Sequence, residues 1–404
     1  MNWLVYFGAE RRLKSIVPHW FLIAVALLVL APAAAMMARA IPLKGPQRFS
    51  IAKLAGVTPE RPPIEPSLTT VRSGIWQTAV IDTLIRLMGQ PRETYIRLNN
   101  GIAYALGRST VPSIIIGRDR MLYETAYVDD WCGRGTPIDA EVQAARIARI
   151  AAAVRRAGKG FAFVISPSKA ALYPENLPEP CAPAATRNYD RLRAALTNYD
   201  LPVIDGHMLA LAVKASQEHP VFNRDGTHWN DLGAYAAIRE ALAVLGEQLD
   251  VPPRQLTLSR VDADRLPVHD DNDLVLLLNL PNTPVYPWPH GRFIVSAKGT
   301  PPRLLVVGTS FMWRFLRILS LNGALADSTF YYYFSRTFEY HDDSLTEAGK
   351  ARQPASDLSK GFLSADAVVL EANEAVLSSS HIEAFENALA ALTSESSKGR
   401  LPDP

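Results

Sequence analysis

Beyond about residue 110 the chain alternates between two hydrophobic patterns. Runs that are apolar at nearly every position lie at "FAFVIS" (161–166), "LPVID" (201–205), "PRLLVVGTS" (302–310), "STFYYYF" (328–334) and "ADAVVLEAN" (365–373). A strand covered on both faces carries such a run, because neither face meets water. Between the runs, apolar residues recur at helical spacing over 139–160, 187–200, 207–216, 231–249, 311–323 and 379–392. The first of these ends on glycine, a helix stop. Helices alternating with buried strands predict an α/β domain with a mostly parallel sheet. Just ahead of it, "VPSIIIGRDRMLYE" (111–124) reads as a hairpin turning at 117–120. The stretch 251–294 breaks the alternation, and its "VHDDNDLVLLL" (268–278) reads as an inserted, lid-like excursion.

The N-terminal part follows another pattern. The basic "RRLKS" precedes an uncharged run from Trp20 to Ala38, close to the ~20 residues that span a bilayer. Arg11, Arg12 and Lys14 favour a cytoplasmic N-terminus. Two readings fit: an uncleaved signal anchor, which is preferred, or a signal peptide with Leu22–Leu30 as its core and a cleavage site near Ala33–Ala35. Both export the remainder. A Pro-rich linker over 45–66 and a helix over 76–90 follow. The predicted organisation is a cytoplasmic stub and anchor at 1–41, linker and leading helix at 42–110, and the α/β domain at 111–404.

Composition narrows the function. With 48% apolar and 20% charged residues among 404, the chain is globular. A net charge of +2 without a basic stripe excludes a typical nucleic-acid binder. No phosphate-loop or zinc-finger motif is present, and no metal or cofactor is expected. Cys132 and Cys181 are too few for a metal site. In an oxidising compartment they form one disulfide, worth roughly 4 kcal/mol for a loop of about 50 residues; otherwise they are buried thiols.

Candidate chemistry sits at two loops. Gly308-Thr309-Ser310 lies between the run "LLVV" and a helix. There a serine hydroxyl faces the crevice at the carboxyl ends of the strands, beside the free N–H groups of a helix start. A plain N-cap serine fits the same pattern. The second loop is "RDGTHWND" (224–231). His228 can take the serine proton, and Asp225 can reach the imidazole across the Gly226 bend and hold its tautomer. A simple Asp-Gly turn remains the alternative.

Together, Gly-x-Ser after a strand and Asp-x-x-His before a helix resemble the SGNH/GDSL hydrolase superfamily. The order is reversed, with "THWN" ahead of "VVGTSF", and this resembles the alginate O-acetyltransferase family of the AlgJ and AlgX type. "SPSKAALYPENLP" (166–178), "THWNDLGAY", "PRLLVVGTSF", "FYYYF" and "VVLEANE" also follow one another as they do there. The resemblance covers roughly 113–392 and implies an SGNH hydrolase-like, three-layer fold. It makes Ser310 the nucleophile, His228 the base and Asp225 the acid, although that family usually has Asp two before the His, where Gly226 stands here. Thr309 replaces the Asp of "GDS" and is an oxyanion or substrate candidate. Asn373 is an oxyanion or sugar donor, or a turn residue; Lys169 holds an acidic sugar or a structural carboxylate. Trp229 is expected to pack behind His228 rather than stack on substrate. Arg314 and Arg336 face a uronate or solvent, and Tyr331 to Tyr333 pack within the sheet. The implied function is acetyl transfer to an exported polysaccharide in the periplasm, with the donor delivered by a membrane O-acyltransferase (MBOAT-type) partner at the inner membrane. A carbohydrate acetyl esterase with the same residues, or a non-catalytic scaffold of an export complex, are the alternatives.

Overall fold

The computed structural model describes residues 65–396 apart from short gaps, together with 54–56 and scattered positions between 19 and 30. It divides into two units: residues 1–102 with 279–281, and residues 103–278 with 282–404. The expectation for Trp20–Ala38 lies almost wholly outside the described residues, as does most of the Pro-rich linker. Among the described residues no helix is long and apolar enough to cross a membrane.

In the first unit the helix expected over 76–90 is present as Ile75–Met88, preceded by Leu68–Arg72. Ser67 starts the shorter helix: its hydroxyl accepts the Thr70 N–H at 3.1 Å, and the Thr70 hydroxyl accepts the Ser67 N–H at 2.9 Å. The Asn279 side chain brackets Ala55, accepting its N–H at 2.7 Å and donating to its carbonyl at 3.1 Å.

The second unit opens with the expected hairpin, β1 (Ile114–Ile116) and β2 (Leu122–Glu124). Then come α1 (Ala140–Arg156), β3 (Gly160–Ser166), α2 (Asn188–Leu196), β4 (Val203–Asp205), α3 (Gly206–Ser216) and α4 (Asp231–Gly246). The excursion is an antiparallel ribbon, β5 (Leu256–Arg265) and β6 (Trp288–Val295), carrying a short helix, α5 (Asp273–Leu277), between its strands. The alternation resumes with β7 (Leu304–Gly308), α6 (Phe311–Leu321), β8 (Ser328–Tyr332), β9 (Arg336–His341), β10 (Ser344–Gly349), α7 (Pro354–Ser364), β11 (Ala367–Asn373) and α8 (His381–Ser396).

The main sheet runs β4-β3-β11-β7-β8-β9-β10. Its first five strands are parallel, and β9 and β10 add antiparallel pairs at one edge, so the sheet is mixed. The apolar runs explain its burial. In β3, Phe161, Phe163 and Ile165 enter one core with α1, α2 and α8; Ala162 and Val164 enter the other with α4 and α6. β7 and β11 divide likewise: Leu305, Val307, Val368 and Leu370 face one side, and Leu304, Val306 and Val369 the other. Helices on both faces make three layers. Each fully buried Val, Leu, Ile or Phe is worth about 1.5–3 kcal/mol over an exposed one.

Two expectations change. The run "STFYYYF" is strand only to Tyr332; Tyr333 and Phe334 take positive φ of 48° and 50° and turn the chain into β9. The "lid-like" segment is a defined ribbon. Cys132 and Cys181 form a disulfide, with Cα atoms 5.6 Å apart. It joins the end of the helix Thr125–Trp131 to the loop ahead of α2.

Candidate active site

Ser310 follows β7 and stands at the N-cap of α6. Its side chain makes no capping bond. Instead Ser310 Oγ lies 2.7 Å from His228 Nε2. The plain N-cap reading therefore gives way to a hydroxyl–imidazole pair, within the reach that proton transfer needs. Gly308 is required beneath this turn, because a Cβ there would sit 2.6 Å from Glu371 Oε2 and 2.9 Å from Met312 Cγ.

His228 is fixed from several sides. Its ring packs edge-on against Phe311 at 5.1 Å. Next to it, the buried Trp229 donates its indole N–H to the Phe311 carbonyl at 3.0 Å. Trp229 thus packs behind the histidine and is closed to substrate. Asn230 caps α4, accepting the Leu232 N–H at 3.0 Å and the Gly233 N–H at 3.3 Å. The Thr227 hydroxyl donates to Glu124 on β2 at 2.8 Å. Burial pushes the Glu124 carboxyl up, while that hydrogen bond and the His228 charge pull against it.

The carboxylate that meets His228 is not Asp225. Asp273, at the start of α5, places Oδ2 3.3 Å from His228 Nδ1. Its Oδ1 accepts the N–H groups of Thr227 at 2.8 Å and Leu274 at 2.9 Å. Burial raises the Asp273 pKa, but the close contact with His228 and its charge, the Thr227 N–H and the Lys169 charge outweigh burial and hold it below the usual value. It is thus an ionised partner for the imidazole.

Asp225 contributes its backbone, whose carbonyl accepts the Val275 N–H of α5 at 3.1 Å. Its carboxyl is fully buried, and neither oxygen has a hydrogen-bond partner among the described residues. Burial pushes it up to about 6, against the pull of Lys169 and Arg224. The reason lies in Lys169. This buried ammonium donates to the carbonyls of Leu122 at 2.9 Å and Arg224 at 3.2 Å, and also to Gly226. The 224–226 backbone folds around the lysine, so the Asp-x-x-His spacing does not deliver its carboxyl to the ring. Burial lowers Lys169 to about 7. It fastens the histidine loop to the hairpin and has no donor left for a sugar.

Three further expectations are corrected. Thr309 gives both its N–H, at 2.6 Å, and its hydroxyl, at 3.1 Å, to the buried Glu371, so neither is offered to an oxyanion. Glu371, on β11, also accepts from Ser166; burial pushes it up to about 7 against these three donors. Asn373 is a turn residue: its amide donates to the Pro167 carbonyl at 2.9 Å and Ser166 Oγ at 3.2 Å, and its oxygen accepts the Ala375 N–H at 3.0 Å. The Arg314 guanidinium is buried between Asp231, at 2.9 Å, and Asp271. It joins α6, α4 and the excursion instead of facing a uronate. Arg336 stacks on Phe338 at 5.0 Å.

Sequence reasoning missed Asp273, Glu371 and Tyr333. Tyr331 packs in the core as expected, whereas Tyr333 leaves the strand and gives its N–H to the Gly308 carbonyl at 2.8 Å, beside the Ser310 turn. The acidic "DDND" was a visible signal for Asp273, although nothing in it singles out one carboxylate. In the final "EAN" of its strand, Glu371 carries no signal that sets it apart from Asn373.

Several known proteins are similar to parts of this chain. Residues 114–287 match the family model described as an SGNH hydrolase-like domain, acetyltransferase AlgX. The match takes in His228 and Asp273 and stops before Ser310. A probable alginate O-acetylase AlgJ of Pseudomonas syringae pv. tomato is 27% identical over 155 residues, 37% of this chain and 38% of that protein. The chain therefore matches well under half of that relative's length. Among solved structures, the O-acetyltransferase domain of Pseudomonas putida AlgJ is similar at 21% identity with a TM-score of 0.45, over 69% of this chain and all of that one (100%). Pseudomonas aeruginosa AlgX is similar at 15% identity with a TM-score of 0.40, over 64% of this chain and 61% of that one.

Proposed function

This chain carries, over residues 114–287, an SGNH hydrolase-like domain of the acetyltransferase AlgX family, and on that premise we propose that it is a cell-envelope O-acetyltransferase working through an acetyl-Ser310 intermediate. The observation that carries the reading is the series Ser310 Oγ, His228 Nε2, His228 Nδ1 and Asp273 Oδ2, spaced at 2.7 Å and 3.3 Å. Ser310 attacks the acetyl carbonyl as its proton passes to His228 Nε2. Asp273 keeps the other ring proton on Nδ1 and stabilises the imidazolium. The donor's leaving group takes the proton from His228. An acceptor hydroxyl then gives its own proton to His228 and attacks the acetyl-serine, restoring the enzyme.

The acceptor in this proposal is an exported polysaccharide, and the donor arrives through a membrane O-acyltransferase (MBOAT-type) partner. The Cys132–Cys181 disulfide suits the periplasm. The segment Trp20–Ala38 with its basic flank suits an inner-membrane anchor. Support for the acceptor class comes from the matched relative's designation as an alginate O-acetylase.

A second reading, an acetyl esterase, draws on one observation: the Asp273 side chain is 32% exposed, so water reaches the edge of the site. Purified protein given an acetyl donor and oligosaccharide separates the two. Acetylated sugar is expected, and free acetate alone would select the esterase. Ser310→Ala and His228→Ala are expected to abolish transfer with the fold intact. Undiminished transfer by Ser310→Ala would remove the proposal.

A further inference from the structure

An acyl-transfer site must stabilise the oxyanion of a tetrahedral intermediate, and hydrogen-bond donors aimed at that oxygen do so. The turn after β7 offers fewer donors than its sequence suggests. The Thr309 N–H and hydroxyl are committed to Glu371. The Phe311 N–H faces Thr309 Oγ1 at 3.4 Å, and the Met312 N–H returns to the Thr309 carbonyl at 3.2 Å. The Asn373 amide is spent on Ser166 and Pro167. The Ser310 N–H remains, with no backbone acceptor among the described residues. One donor is a thin oxyanion site, so a second from a side chain is to be sought.

Tyr333 is placed for that role at a cost. It and Phe334 both hold left-handed backbone, which costs side chains of this size of order 1 kcal/mol or more each. Glycine is the usual residue for such a turn and is absent here. The Tyr333 N–H donates to the Gly308 carbonyl at 2.8 Å, clamping the turn to the nucleophile loop. The ring stands edge-on to Tyr332 at 4.8 Å and to His381 at 6.0 Å, and its hydroxyl is near enough to Ser310 to feel it electrostatically, without a hydrogen bond between them. Burial, with Glu371 and Tyr332 nearby, raises the phenol pKa further than the nearby Ser310 lowers it. It remains a neutral O–H donor at any working pH.

We propose that Tyr333 is a catalytic residue whose hydroxyl, beside the Ser310 N–H, donates to the oxyanion formed when Ser310 attacks an acyl carbonyl. The proposal rests on the acyl-transfer reading of the site. In the step, the Oγ–C bond forms, the carbonyl π pair moves onto oxygen, and the serine proton goes to His228. Tyr333 keeps its proton and lends only a hydrogen bond. On collapse the C=O bond re-forms, the bond to the leaving group breaks, and that group takes the proton from His228.

The test uses the full chain, p-nitrophenyl acetate as acetyl donor and a fluorophosphonate that phosphonylates an active serine. Tyr333→Phe keeps the ring and removes the donor. It is expected to lower kcat about 10²-fold with KM within about threefold, to slow phosphonylation, and to leave Tm unchanged. Replacing Tyr333 with p-aminophenylalanine keeps a donor in place and is expected to recover at least about tenfold of that loss. A Tyr333→Phe kcat within about threefold of wild type, or no recovery with the amino analogue, overturns the role of Tyr333. A wild-type chain that neither hydrolyses the ester nor takes the label overturns the acyl-transfer reading itself, and this proposal with it.

Discussion

At the scale of residues, two aspartates compete for one histidine. Asp273 meets Nδ1, while Asp225 lies buried beside Lys169 without a hydrogen-bond partner among the described residues. Asp273→Asn is therefore expected to lower kcat between about 10²- and 10⁴-fold, by losing the tautomer and the imidazolium partner. Asp225→Asn is expected to stay within a few-fold. Steady-state kinetics on the two variants, with circular dichroism to verify folding, checks this; the reverse ranking would return the acid's role to Asp225. Asp225 also makes a stability prediction. Its folded pKa of about 6 lies above the ordinary aspartate value of 3.8. The charged form is thus disfavoured in the folded chain, a cost fully present above pH 6 and gone below 3.8. Asp225→Asn should stabilise the protein by about 1–2 kcal/mol at pH 8, the gain being reduced by the charge partner that Lys169 loses. The gain should shrink as pH falls to 4, as denaturant titrations at the two pH values will show.

At the scale of elements, what the sequence made legible was local. The apolar runs of β3, β7 and β11 are buried on both faces, and each was visible because every position is apolar. Ser310 and His228 were visible because a strand-to-helix turn and a helix-leading loop mark themselves with glycine and polar residues. The ribbon of β5 and β6 was legible only as an interruption. Its function is to carry α5, and so Asp273, to a histidine presented by another loop. A hydrogen bond to Nδ1 can be met by any carboxylate that arrives there, so short-range spacing pointed to Asp225. The turn after β8 carried no glycine signal, which hid Tyr333 in what read as continuous strand. The disulfide acts at this scale too, tying the helix that follows β2 to the loop ahead of α2. Cys132→Ser with Cys181→Ser, or reduction, is expected to cost about 2–5 kcal/mol in denaturant unfolding. No change on reduction would show that the bond adds nothing to the folded state.

At the scale of the whole molecule, the α/β unit is a sheet with helices on both faces, and its reactive groups gather beyond the carboxyl ends of β7, β8 and β11. Glu371 and Gly308 shape the serine turn; Lys169 shapes the histidine loop; Arg314 pairs with Asp231 and Asp271 across α6, α4 and the excursion. These buried polar groups hold a proton-transfer geometry that a non-catalytic scaffold does not require. The sequence leads one to expect an export segment, from a run of uncharged residues that lies almost wholly outside the described residues, and a reactive site, from two loops far apart in the chain. The proposed acetyl transfer depends on a covalent intermediate. Rapid mixing with an acetyl donor in the absence of acceptor, followed by proteolysis and mass spectrometry, reads that intermediate. One acetyl group on the peptide containing Ser310, absent in Ser310→Ala and lost on adding oligosaccharide, is the predicted result; turnover by wild-type protein with no acetyl ever found on Ser310 would contradict it.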